Sequence, residues 1–234
     1  MTESMKLANR VSKRIALLIP HTDVNLETDL QRELPAGYSL AVERMWLDDV
    51  TEESERVMLA SEAPRAARYL RPASPELGVF GCTSATAILG PEGEKQLIQD
   101  VSATLQCPVI SAFGAVLDQL AEARLKRLVL FTPYVDSLTA RFADGLTQLG
   151  YELVFSAGMG KASDVEIGEI RPDQIVDFVR DHKKHFGGCD GILISCTNLR
   201  ALEARTILEK ELNLPIITSN YAILKEIGKQ LPIG

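Results

Sequence analysis

Eight short apolar runs, each followed by an amphipathic stretch, leave this chain few ways to fold. RIALLIP (14–20), YSLAVERMW (38–46), ELGVFGC (76–82) and CPVISA (107–112) have the length and composition of strands. RLVLFTP (127–133), YELVFSA (151–157), GILISC (191–196) and LPIITS (214–219) supply four more. Helical patterns fill the intervals, as at 51–70, 93–105, 114–124, 136–148, 172–186 and 199–211. Alternation of this kind predicts a parallel sheet with helices on both faces.

The two sets of strands also match each other. RIALLIPHTD…GYSL lies over RLVLFTPYVD…GYEL, with Pro20 and Pro133, Asp23 and Asp136, Gly37 and Gly150, and Tyr38 and Tyr151 each 113 residues apart. Cys82 and Cys196 differ by 114, and PVISAFGAVLDQL lies over PIITSNYAILKEI at an offset of 107. Chance similarity between α/β strands is the alternative, but ordered elements at a nearly constant offset point to two halves of like topology. The expected fold class is therefore α/β, with two pseudosymmetric, Rossmann-like or flavodoxin-like parallel-sheet halves and the active site in the cleft between them. The expected division is an N-terminal tail at 1–13, a first half at 14–113 plus 217–234, and a second half at 114–216.

Ligands in such sheets bind beyond the carboxyl ends of the strands. Cys82 and Cys196 both end a strand, so the symmetry brings them to opposite walls of one cleft. Each is followed by polar residues, Thr83 and Ser84 in the first half and Thr197 and Asn198 in the second. A thiol has a reference pKa near 8.5, within reach of neutrality, and can act as base or acid. A helix starting just after it lowers that value, and the free N–H groups with the hydroxyls can hold a carboxylate or an enolate-like intermediate. Such a pair can invert a carbon next to a carboxylate without a cofactor. Cysteine is also a small core hydrophobe, the reading that suits Cys107 and Cys189.

The net charge of −7 gives no basic footprint for nucleic acid. No apolar run approaches the roughly 20 residues of a membrane helix. The opening MTESMKLANRVSKR lacks the apolar centre of a signal peptide. Four cysteines without an export signal fit reduced thiols and a cytoplasmic location. No C-x-x-C pair is present, which argues against a zinc knuckle.

The ordered motifs GCTSAT and SCTN resemble the twin cysteine motifs of the Asp/Glu racemase superfamily. LLIPHTDVNLETDL and FTPYVDSL resemble its maleate cis–trans isomerase and arylmalonate decarboxylase branch, and the likeness runs from Arg14 onward. The resemblance implies two pseudosymmetric halves, no metal or organic cofactor, and small carboxylic-acid substrates. It places the nucleophile on Cys82 and the proton-handling thiol on Cys196, with Tyr134 bonding the substrate, although Tyr134 would also serve as a strand-end filler.

Two positions depart from that branch. Asp23 stands where the branch has a carboxylate-binding amide, and Asp164 of SDVEIG aligns with a second one. Carboxylates there repel an anion unless they stay protonated, and they favour a cationic group. In superfamily amino-acid racemases an Asp in the corresponding first loop sits near the amino group. The expected activity is therefore racemisation or epimerisation of a small amino-acid-like carboxylate, with maleate cis–trans isomerisation as the alternative and arylmalonate-type decarboxylation third. A non-catalytic sensor using the same cleft is the rival from another class. Asp23 would equally cap a helix starting near Val24, and Asp164 would serve as a turn residue.

The candidate site is thus Cys82 and Cys196 as catalytic residues, with Asp23, Thr83, Ser84, Tyr134, Asp164, Thr197 and Asn198 binding substrate. The expected partner is a small carboxylic-acid or amino-acid substrate, with no nucleic acid and no membrane; a homo-oligomer is compatible with the sequence. His21, at the repeat position of Tyr134, faces either cleft or loop. His182 and His185 suit the dipole of a helix C-terminus, GMGKAS lacks the spacing of a phosphate loop, and DDVTEESE (48–55) reads as a solvated helix start.

Overall fold

The computed structural model describes residues 13–231. The tail at 1–13 lies outside them except for Lys13, which opens the first strand. The first sheet comprises β1 (Lys13–Pro20), β2 (Tyr38–Met45), β3 (Leu77–Phe80) and β4 (Val109–Ser111). The second comprises β5 (Arg127–Tyr134), β6 (Glu152–Lys161), β7 (Gly191–Ile194) and β8 (Ile216–Thr218). Both are parallel and share one order, β2-β1-β3-β4 and β6-β5-β7-β8.

The central strands explain the apolar runs. Ile15–Ile19 and Leu128–Phe131 are buried on both faces, as strands covered by helices on both sides must be. The repeat extends to details. Gly37 and Gly150 both have positive φ, 108° and 85°, the left-handed turn that favours glycine. Ser111 and Thr218 each cap the next helix by accepting from a backbone N–H three residues on. Those helices, α5 (Ala112–Glu122) and α10 (Ser219–Gln230), pack against each other and join the two sheets.

The remaining helices set the walls of the site. In the first half they are α1 (Asn25–Glu33), α2 (Glu52–Val57), a π-helical turn (Met58–Glu62), α3 (Ala63–Leu70) and α4 (Thr83–Leu105), broken at Gly90 just before Pro91. In the second half α6 (Asp136–Gln148) and the short α7 (Asp164–Gly168) precede α8 (Pro172–Asp181) and α9 (Ala201–Leu212). Val50 donates to the Ala162 carbonyl at 3.1 Å, so the loops after β2 and β6 meet above the sheets. His182 and His185 join Phe131, Phe155, Phe178 and Phe186 in an aromatic cluster.

Candidate active site

Cys82 and Cys196 each sit two residues beyond the end of their strand, after Phe80 and Ile194. Equivalent backbone bonds set the approach, Gly81 donating to Leu18 and Ser195 to Phe131. Gly81 has no room for a side chain, since an added Cβ would lie 2.5 Å from Leu26. Both thiols are 5% exposed. Burial pushes both well above the ordinary thiol range, with the Glu55 carboxylate adding to Cys82 and the Asp164 carboxylate adding to Cys196.

The two thiols converge on shared neighbours. The buried Tyr134 hydroxyl interacts with Cys196, with Ser84 and with Cys82. Burial, reinforced by those thiols, raises Tyr134 well above the ordinary phenol range, so it stays a neutral donor. Asp164 acts electrostatically on both Cys82 and Cys196. One small region therefore holds both sulfurs, one phenol and a carboxylate.

Local structure treats the two thiols differently. Cys82 is the residue from which α4 starts, its sulfur makes no capping hydrogen bond, and one backbone N–H lowers each thiol, Ala85 for Cys82 and Asn198 for Cys196. A helix N-terminus there favours a thiolate. Cys196 has no such helix, because α9 begins only at Ala201. The expectation of a helix start directly after both thiols is thus corrected for the second.

The polar residues after each thiol also divide. Ser84 lies 3.8 Å from Cys82 Sγ and donates a short hydrogen bond to Glu55 Oε1. Thr83 donates to Ser219 at 3.0 Å, and Thr197 donates to the Gly81 carbonyl at 3.3 Å. Asn198 ties three loops: its Oδ1 accepts from the Val24 N–H and from Asn25, and its Nδ2 donates to the Thr22 and Asp164 carbonyls. Thr83, Thr197 and Asn198 hold the cleft together with the groups that the sequence suggested for substrate.

Asp23 is fully buried. Its Oδ1 accepts from the Asn25 and Leu26 N–H groups at 3.1 and 3.0 Å, anchoring the first turn of α1. Its Oδ2 makes no hydrogen bond while the nearby Thr197 hydroxyl, which acts to lower the carboxyl's pKa, donates to the Gly81 carbonyl. Burial first, and Asp164 second, raise its pKa to about 7. Asp164 is the first residue of α7, accepts from Thr22, and is also raised by burial. His21 stacks on Trp46 at 4.3 Å and accepts at Nδ1 from the Leu47 N–H.

Glu55 is the member of the site that sequence reading missed. It belongs to the acidic run expected to be solvated, yet it is fully buried, with Oε2 unpartnered. Burial raises its pKa to about 7. The signal was present: the buried stripe Met58, Leu59, Ala63, Ala66, Ala67 and Leu70 continues at helical spacing back onto Glu55. An acid on an apolar stripe is a functional candidate.

Among the described residues no helix is long and apolar enough to cross a membrane. Two like parallel-sheet halves with one buried thiol at the end of the third strand of each define an enzyme of the Asp/Glu racemase type. The arylmalonate decarboxylase family model matches residues 15–231. The chain belongs to that family, in the branch that also holds maleate isomerases, and is an isomerase-type enzyme.

Among its relatives, the maleate isomerase of Geobacillus stearothermophilus is 25% identical over 232 residues, covering 93% of this chain and 91% of the relative. That of Alcaligenes faecalis is 26% identical over 234 residues, covering 92% and 91%. A solved structure of a Nocardia farcinica maleate cis–trans isomerase variant, with a covalently bound succinylcysteine intermediate, superposes with a TM-score of 0.87. It is 23% identical and covers 94% of this chain and 93% of that one.

Proposed function

We propose that this protein is a two-cysteine isomerase that converts a small cis-enoate, of the maleate type, to its trans isomer. The observation that carries the reading is the meeting of the two thiol loops, where Thr197 beside the buried Cys196 donates to the Gly81 carbonyl beside the buried Cys82 at 3.3 Å, in a chain whose relatives are named maleate isomerases. Cys82, on the helix N-terminus, is the nucleophile. As a thiolate it forms a C–S bond to one alkene carbon, and the π pair moves to the neighbouring carbon as an enolate-like carboxylate. Cys196 delivers a proton to that carbon, and the former double bond rotates as a single bond. Cys196 then takes the proton back, the double bond re-forms and the C–S bond breaks. Tyr134, as a neutral donor, stabilises the developing oxyanion. The named relatives favour this reaction over the racemisation that Asp23 suggested from sequence.

A second reading, racemisation or epimerisation of an amino-acid-like carboxylate, keeps the same two thiols as base and acid. It is favoured by one observation, the three carboxylates of the site. Proton NMR in deuterated water separates the two. Conversion of maleate, or of cis-4-aminobut-2-enoate, to the trans isomer supports the first. Exchange at the α-carbon of amino acids with no alkene turnover supports the second, and inertness towards all of them would sink both.

A further inference from the structure

The proposed reaction starts from Cys82 as a thiolate, yet burial pushes this thiol well above the ordinary range. Its proton needs an acceptor within the protein, and the neighbouring side chains supply one. Ser84 Oγ lies 3.8 Å from Cys82 Sγ, and the same Oγ donates a short hydrogen bond to Glu55 Oε1. A hydroxyl has one hydrogen and two lone pairs. With that hydrogen given to Glu55, Ser84 can only accept from the Cys82 S–H. The chain therefore has a direction, from thiol to hydroxyl to carboxylate. Glu55 is fully buried and its second oxygen, Oε2, has no hydrogen-bond partner. A carboxylate so little solvated takes up a proton readily, and its pKa is raised to about 7. In the second half the residue matching Ser84 is Asn198, whose amide is committed to Val24, Asn25, Thr22 and Asp164.

We propose that Glu55 is the proton acceptor for Cys82, reached through the Ser84 hydroxyl. The proposal rests on the reading of Cys82 as the nucleophile of this site. Two protons move and no charge is created. Cys82 passes its proton to Ser84 Oγ, and Ser84 passes its own to Glu55 Oε1. The thiol becomes a thiolate, the hydroxyl is restored and the carboxylate becomes a neutral carboxyl. The hydrogen bonds then point the other way, from Glu55 to Ser84 to Cys82, so a hydroxyl donor holds the new thiolate. Reversal returns the proton after the C–S bond breaks. One negative charge shared by the pair suits what surrounds it. Asp164 of α7 acts against a negative charge on both Glu55 and Cys82, and Glu52, one turn earlier on α2, acts against it on Glu55. From β5 the neutral Tyr134 phenol faces Ser84 and Cys82.

Alkylation of Cys82 by iodoacetamide, read by peptide mapping from about pH 6 to about pH 10, tests the chain without any substrate. In the wild type the rate should rise to a break at about pH 7, where Glu55 loses its proton, and level off before the free thiol titrates. Glu55→Gln and Ser84→Ala should each slow the labelling about tenfold or more at about pH 7. The gap should close as pH rises and solvent takes the proton instead. The double variant should be no slower than the slower single one, because both substitutions break the same chain. Four results would overturn the relay: a wild-type rate that climbs unbroken through pH about 7, full reactivity in either variant, a loss of equal size at every pH, or losses that multiply in the double variant. If a variant does not fold by circular dichroism, the wild-type profile decides. The two ideas fail separately: the break and the gap without turnover of any substrate remove the isomerase alone, and turnover without them removes the relay alone.

Discussion

The two halves place a thiol at the same point and then surround it differently. In the first, Cys82 leads straight into α4 and its neighbour Ser84 links it to the buried Glu55. In the second, Cys196 is followed by a non-helical stretch, and the residue matching Ser84 is Asn198, which ties Val24, Asp164 and Thr22 together. The loops after β1 and β5 differ in the same way. Asp23 is fully buried, whereas its repeat partner Asp136 is exposed at the start of α6. A duplicated scaffold supplies equivalent positions; unequal chemistry comes from the few side chains around each one. In the proposed reaction the first thiol attacks, and the second delivers and takes back a proton.

The largest effect should come from the thiols themselves. Cys82→Ser and Cys196→Ser are each expected to lower turnover about 10³-fold or more. Only the Cys196 variant should accumulate a covalent substrate adduct by intact mass spectrometry, on Cys82. An adduct on Cys196 in the Cys82 variant would reverse the assigned roles.

Stability against pH probes the carboxylate beside each thiol. Asp23 and Glu55 rise from ordinary values of 3.8 and 4.5 to about 7 in the fold. The folded state therefore holds their protons more tightly than the unfolded chain. Their contribution is whole below about pH 4 and is lost as pH rises towards 7. Denaturant titrations should show stability falling by on the order of 3 kcal/mol per carboxyl between these limits. Asp23→Asn keeps the Oδ1 that anchors α1, and it and Glu55→Gln should each flatten the slope. An unchanged slope in both would contradict the burial of these acids.

Asn198→Ala should destabilise the fold by about 2 kcal/mol, because it leaves part-buried backbone groups of two loops, Thr22 and Val24 in one and Asp164 in the other, without their partner. Ser84→Ala, at the matching position, should cost less stability and more turnover. Helix placement gives a smaller contrast: iodoacetamide should label Cys82 roughly fivefold faster than Cys196 at about pH 9, read by peptide mapping. Equal rates would mean that the helix start at Thr83 does not distinguish the thiols. Smallest of all, Gly37→Ala and Gly150→Ala should each cost about 1 kcal/mol, since both occupy positive φ; similar losses would match the repeat.

Much of this was written in the chain. Apolar runs long enough for one strand and alternating with helical patterns dictate parallel α/β sheets, and the constant offset dictates two of them, as the identical strand orders show. The family resemblance marked Asp23 and Tyr134, and the first strand of each half carries them to its carboxyl end, where a ligand cleft must lie. Helix α6 spans 136–148 as its periodicity predicts. What stayed hidden depended on distant neighbours. Thr83 was a plausible carboxylate donor until Ser219, from the far end of the chain, arrived to take its hydroxyl. Glu55 looked solvated within its acidic run, although its helical spacing from Met58 and Leu59 marked the inward face.

By itself, then, the sequence settled the strands, their duplication and the two thiols, because periodicity and spacing are local properties that any chain carries unfolded. Tertiary structure alone decided which carboxylates lose their water and which polar side chains find partners. Solvation is set by everything packed around a group, and at this site those surroundings come from segments more than a hundred residues apart.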